Sequence, residues 1–223
     1  MKINRLVALG LAVFWILPTS ILMAESKAPD AVVQAATQGL KPWLDKIPAS
    51  SMLQFGFDPT APLDSATLGA PFLVHTITPA ALKQYKSGTA VTDLITPTTL
   101  WYFPVLVAGE AKAILVVDRM NDRWEAVSLG YSNLAGEWAN VTRQWPESKG
   151  YHPVLIAVFQ AKQHLFTVPE KGAANLTPLA SGQQAKVLKS AGATGARYST
   201  LDNADSVIQN LIPAVENNLQ SNQ

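Results

Sequence analysis

The stretch LWYFPVLV (residues 100–107), AGE (108–110), AKAILVVD (111–118), RMND (119–122) and RWEAVSLG (123–130) decides the fold. It is the densest run of strand-type apolar residues in the chain, and its polar breaks divide it into three consecutive antiparallel strands. Ala113 to Val117 are apolar in succession and include three β-branched residues, the pattern of a central strand covered on both faces. Pro104 has no N–H to give to a ladder, so its strand is expected at a sheet edge, at a strand start or at a bulge. The link Ala108-Gly109-Glu110 has the length of a hairpin loop, and Arg119 to Asp122 reverse the chain a second time. A three-stranded meander with one covered face is stable where a lone hairpin usually is not.

Working outward, FLVHTI (72–77) reads as a further strand, after which Thr78 caps and Pro79 opens a short helix through Tyr85. Ser87 to Thr99 reads as a loop with at most a short strand. Beyond the meander, Ser132 or Asn133 caps a helix that puts Leu134, Trp138, Val141 and Trp145 on one face, and Pro146 ends it. The segment YHPVLIAVFQAKQHLFTVPE (151–170) repeats the vocabulary of the meander, Tyr151-His152-Pro153-Val154 matching Tyr102-Phe103-Pro104-Val105. A second hairpin is expected there; equivalence of the two units would put Pro153, like Pro104, at an edge or bulge.

The flanks are helical. Val32, Val33, Ala36, Leu40, Trp43, Leu44 and Ile47 recur at helical spacing, and Gly39 and Pro42 predict a helix, a break and a second short helix. MLQFGF (52–57) reads as a short strand, followed by a Pro-containing loop from Asp58 to Asp64. From Lys171 the chain turns polar and small, with a helical turn or two expected at Gln183–Ser190. Val207, Ile208, Leu211, Ile212, Val215 and Leu219 then form an amphipathic helix, kinked or restarted at Pro213 and frayed from Asn217 to Gln223.

At the start, Lys2 and Arg5 precede an apolar run from Leu6 to Leu17, then Pro18, and Ala24 ahead of Glu25, the layout of a secretory signal. The expected organisation is a signal peptide at 1–24, a helical segment and loop at 25–65, a central sheet domain at 66–170, and a loop with a C-terminal amphipathic helix on the same domain at 171–223. The fold class is α+β: a mainly antiparallel sheet, made of a three-strand meander plus a second hairpin, packed with amphipathic helices after the N-terminal signal segment. Export to the periplasm or the extracellular side follows, with membrane attachment only where the leader is retained as an anchor.

The chain has no Cys, which removes disulfides, thiolate metal sites and lipidation at a leader cysteine. Losing Lys2 and Arg5 with the leader turns 17 basic against 16 acidic side chains into 15 against 16, and no Lys/Arg cluster marks a nucleic-acid footprint. His75, His152 and His164 show no metal-ligand spacing, no G-x-S-x-G elbow occurs, and Gly192 to Gly195 lacks the Lys-Ser/Thr ending of a phosphate loop. Asp118, Asn121 and Asp122 read as a tight turn, because a calcium loop's spacing and distal Glu are missing. Asn140-Val-Thr and Asn175-Leu-Thr fit the glycosylation acceptor pattern. No cofactor or metal is implied. Trp101, Tyr102 and Trp124, with Trp138 and Trp145, either fill the core or line a groove; the first three, with His75 and His152, are the candidate ligand-binding set. The functional reading is an exported, non-catalytic module binding a small molecule or a protein, and no nucleic acid. The alternatives are a secreted hydrolase with a dispersed Ser/His/Asp site, and a prodomain-like or inhibitory module offering an edge strand.

Overall fold

The structure is a computed structural model that describes residues 27–182 and 198–220. The leader reading over 1–24 and the helical turn expected at Gln183–Ser190 lie outside the described residues. In chain order the elements are α1 (Asp30–Leu44), a 3-10 helix (Ala49–Phe55), β1 (Thr67–Leu68), β2 (Phe72–Ile77), α2 (Pro79–Gln84), α3 (Val91–Leu94), β3 (Ile95–Val107), β4 (Glu110–Met120), β5 (Arg123–Gly130), α4 (Ser132–Gln144), β6 (Val154–Val158), β7 (Gln163–Thr167), β8 (Thr177–Pro178) and α5 (Ala204–Gln220). The strands form one eight-stranded sheet in the order β5-β4-β3-β2-β6-β7-β8, with β1 beside β3. Neighbours are antiparallel except at β2/β6, which run parallel and join the meander to the β6–β7 hairpin. This is the expected α+β, mainly antiparallel architecture, with a parallel seam that the sequence did not disclose.

Two-sided burial shapes the meander. Ala113, Leu115 and Val117 of β4 face a cluster with Val32, Ala36 and Leu44 of α1, while Ile114 and Val116 face Leu134, Trp138 and Val141 of α4. Consecutive strand side chains point to opposite faces, so an unbroken apolar run fits only a strand with helices above and below. The β6–β7 half has its own cover, Val207, Ile208, Leu211 and Val215 of α5 packing with Ile156, Val158 and Leu165.

Several local expectations are revised. Pro104 lies inside β3, opposite Ile114, and not at a sheet edge. Its carbonyl accepts from Gly69 N–H (2.7 Å) in the gap where β1 stops and β2 has not begun. Because a strand residue's N–H and C=O project to the same side, the missing N–H faces that gap and no ladder bond is lost. Pro153 precedes β6 altogether, and Ala161-Lys162, which match Ala111-Lys112 in the sequence with one residue inserted, sit in a turn where those sit in a strand, so the two hairpins are not equivalent repeats. Met52 to Phe55 are 3-10 helix and not strand, and Ser87–Thr99 contains α3 and the start of β3. Tyr131, not Ser132 or Asn133, occupies the N-cap of α4.

The predicted break in α1 does not occur; the helix runs unbroken through Gly39 and Pro42. Pro42 falls in the last turn of a helix about to end. Gly39 is a contact requirement: a Cβ there would lie 2.2 Å from Cβ of Ala126 on β5. Nearby, the Trp43 indole N–H donates to the Ala126 carbonyl (3.0 Å), fixing the same helix to the edge strand.

Asn175 is held inside, 6% exposed. Its Oδ1 accepts from Val168 N–H (2.8 Å) and Thr167 Oγ1 (3.0 Å), and its Nδ2 donates to the carbonyls of Val168 and Gly172. All four hydrogen-bonding positions of the amide are filled, which makes this a structural clamp on the turn after β7 and removes it as an exposed glycan acceptor.

Two stability changes follow. Gly39→Ala should destabilise by about 1–3 kcal/mol through overpacking, and Ala126→Gly in the same chain should recover much of that loss, as read by urea denaturation of the four members of the cycle. Asn175→Ala should cost about 2–4 kcal/mol by stranding buried backbone groups, and a cost below 1 kcal/mol in the same assay would count against the clamp.

Candidate functional site

The five residues singled out in the sequence do not share one groove. Trp101 is buried on the α1 face of β3, and Trp124 of β5 packs against the same cluster. Tyr102, the next residue along, points to the opposite face beneath α4. His75 lies on β2 opposite Ile156 across the parallel seam. His152 sits in the loop before β6, its Nδ1 2.9 Å from Oε1 of Glu170. Burial works to raise the Glu170 pKa, but a backbone N–H of its own turn and His152 outweigh it, so the carboxyl titrates below its usual value. Lys171 stands over the Tyr151 and Trp145 rings at 4.9 and 5.3 Å, so this corner is a clasp between the loops before β6 and after β7.

A different set converges where β5 turns into α4. Tyr131 holds a left-handed backbone (φ 56°), uncommon for a residue with a Cβ, and is 50% exposed. Its ring stacks on Tyr102 (5.9 Å between centroids) and stands edge-on to His164 of β7 (6.1 Å), bridging the two halves of the sheet above the seam. Burial first, and the neighbouring Tyr131 phenol second, push the Tyr102 hydroxyl's pKa up. Phe72 and Trp138 continue the aromatic layer beneath.

One and a half turns along α4, Glu137 supplies the charge. Its Oε1 accepts from Ala180 N–H (3.0 Å) and Tyr198 OH (2.7 Å), and its Oε2 accepts from Ser181 N–H (2.9 Å). His164 is mostly buried, and its Nδ1 has no hydrogen-bond partner; neither has the buried Oγ of Ser181. Burial lowers the His164 pKa, while the Glu137 charge pulls the other way. His75 resembles it on the opposite face: its Nδ1 is unpartnered and burial lowers its pKa, with the Leu73 backbone opposing.

A serine hydrolase needs a serine hydroxyl bonded to its base. Among the described residues no serine hydroxyl is hydrogen-bonded to a histidine, and His164 and Ser181 leave their buried Nδ1 and Oγ unpaired. Two cavities lie elsewhere: about 110 Å³ between Leu40, Leu44, Leu63 and Ala66, and about 10 Å³ between α2 and α5. Among the described residues no three His, Asp or Glu side chains gather as metal ligands, and no helix is long and apolar enough to cross a membrane. The chain matches no known family model, curated protein or solved structure.

Of this cluster, only Tyr102 was in the candidate set read from the sequence. Glu137 occupies an ordinary polar helix position, Ser181 a loop, and a Tyr carries no sign that its backbone is left-handed. His164 was visible only as an apolar-strand histidine.

These two half-buried histidines, His75 and His164, give the protein an acid sensitivity with a definite sign. Each pKa lies below the ordinary 6.5, so under mildly acidic conditions the unfolded chain binds more protons than the folded one. Stability is therefore full above about pH 6.5 and falls as pH drops toward the folded values. Urea denaturation between pH 7.5 and 5.5 should show this decline, and a His75→Leu, His164→Phe double variant should flatten it; an unchanged slope would assign the effect elsewhere.

Proposed function

We propose that this protein is exported to the periplasm or the extracellular side and works there as a non-catalytic binding module, with Tyr131 as its anchor for a partner protein. The observation that carries this reading is the pairing of exposure and strain in one aromatic residue. A left-handed backbone at a residue other than Gly costs roughly 1–2 kcal/mol, and such strain concentrates at functional sites. The ring it displays is half exposed, yet held by Tyr102 on one side and His164 on another. A rigid aromatic ring with little ordering entropy left to lose is the residue type that dominates binding energy at protein interfaces.

A protein surface suits the site better than a small molecule. The cavity beneath α1, about 110 Å³, is smaller than the roughly 300 Å³ at which ligand pockets begin, and it is not at Tyr131. Export is supported by Lys2, Arg5, the apolar run Leu6–Leu17 and the small Ala24.

Tyr131→Asn separates binding from folding. Relief of backbone strain, about 1 kcal/mol, offsets the lost ring packing of similar size, so thermal stability should stay nearly unchanged. Native mass spectrometry of the protein drawn gently from its host's extracytoplasmic fraction should show a mature chain starting at Glu25 in a complex that Tyr131→Asn abolishes and Tyr131→Phe keeps. A complex indifferent to Tyr131→Asn, or a small-molecule adduct in its place, would refute the Tyr131 docking reading.

A further inference from the structure

The cavity beneath α1 is walled for one kind of guest. Leu40 and Leu44 of α1, with Leu63 and Ala66 from the 3-10 turn before β1, give about 110 Å³ of apolar space open to solvent on one side. Lys41, Asp45 and Asp64 stand at its rim. Lys41 Nζ lies 3.2 Å from Oδ1 of Asp45 and 3.4 Å from Oδ1 of Asp64, so a primary ammonium on a flexible alkyl stem already bridges the two carboxylates. The three side chains are 72%, 59% and 96% exposed, and two carboxylates against one ammonium leave the rim with negative charge in excess. The cavity belongs to the α1 face of the sheet, opposite the face on which Tyr131 stacks, so it stands apart from the docking reading.

We propose that this cavity binds a short primary alkylammonium, its hydrocarbon chain against Leu40, Leu44, Leu63 and Ala66 and its ammonium between Asp45 and Asp64, in the position Lys41 now holds. An apolar cavity of roughly 150 Å³ takes the carbons of benzene, so 110 Å³ suits a chain of about four. That is far below a drug-sized ligand, and it matches a free butylamine and the lysine side chain of a peptide alike. Burial of the chain supplies the attraction, and the charge of the rim selects the cation over an alcohol or a carboxylate of the same length. Lys41 is the competitor. Exposed ion pairs of this kind are weak, so its ammonium exchanges readily with water. The share of molecules in which Lys41 has swung out sets the apparent affinity for the guest. Binding is non-covalent, and no bond breaks.

The test is an NMR titration of the full chain at neutral pH and matched ionic strength with n-butylammonium, n-butanol and butyrate, reading the amides and methyls of Leu40, Leu44, Leu63 and Ala66. n-Butylammonium should saturate these signals with a Kd of roughly 1–10 mM, n-butanol should bind about tenfold more weakly, and butyrate should not bind. Asp64→Asn should weaken the ammonium about tenfold and leave n-butanol where it was. Lys41→Met should tighten the ammonium about tenfold, because the competitor is gone. Ala66→Leu, or Leu63→Phe should the first fold poorly, fills the cavity and should abolish binding of both probes. Nα-acetyl-lysine methylamide carries the same group on a peptide unit; if it binds more tightly than n-butylammonium the natural guest is a lysine side chain, and if more weakly, a free amine. The site is refuted if n-butylammonium at about 50 mM shifts none of the four residues, if butyrate binds as well as the ammonium, or if Lys41→Met fails to tighten it.

Discussion

Burial of β3 and β4 on both faces is the constraint from which the rest of the arrangement follows. A strand that shows apolar side chains above and below needs two covers, and the chain supplies them from opposite directions: α1 before the meander, α4 after it. Two covers leave no water to satisfy the backbone in between, so every local irregularity must find its own partner. Thr98 illustrates this where the β2–β3 register shifts: its hydroxyl donates to the Val74 carbonyl (2.7 Å) and accepts from Leu100 N–H (3.0 Å), replacing ladder bonds. Pro104 is tolerated for the complementary reason, its absent N–H being turned to the β1–β2 gap. The outer edge of β5 is closed in part by the Trp43 indole on the Ala126 carbonyl, and that contact depends on Gly39 letting α1 settle onto the strand.

The parallel seam decides where the two halves communicate. A meander and a hairpin each fold on local instructions, but joining them edge to edge requires β2 and β6 to meet across some eighty residues of chain, with His75 opposite Ile156. Above the seam the bridging work falls to side chains: Tyr131 reaches from Tyr102 on β3 to His164 on β7. Below it, α2 and α5 are pinned together by Asp205, which accepts from Tyr85 OH, Ser87 Oγ (2.6 Å) and Gly88 N–H (3.1 Å). These donors hold the Asp205 carboxyl below its usual range, Ser87 and Tyr85 foremost, so this tie, like the Glu170 clasp, weakens in acid.

Elements with a local signature were legible in the sequence. The meander, β2, the Thr78 cap with Pro79, and the one-faced helix of Leu134, Trp138, Val141 and Trp145 all rest on periodicity or capping chemistry that a few neighbouring residues carry. The misjudged features were settled by distant partners. Gly39 reads locally as a helix breaker and is kept by Ala126, 87 positions along the chain. Pro104 reads as a residue of an edge, a strand start or a bulge, yet its tolerance inside β3 depends on a gap between two other strands. Left-handed positions were legible only where the residue favours them: Asn121 and Asp122 signal their turn, whereas Ala108 and Tyr131 adopt the same backbone without advertising it. The candidate site combined these difficulties, since its members come from β3, the β5–α4 junction, α4, β7 and the end of β8.

That site is also where departures from the ordinary rules of a folded chain gather. Tyr131, left-handed and half exposed, stands against His164, whose buried Nδ1 has no partner, and Ser181, whose buried Oγ has none either, is tied to α4 through Glu137. Nδ1 of His75 on the opposite face is also without a partner, whereas all four positions of the Asn175 amide are filled. Each such open group weakens the core it sits in, and two of the three among the described residues, Nδ1 of His164 and Oγ of Ser181, belong to this cluster. Their meeting with the left-handed, half-exposed Tyr131 is the observation on which the proposed binding role rests.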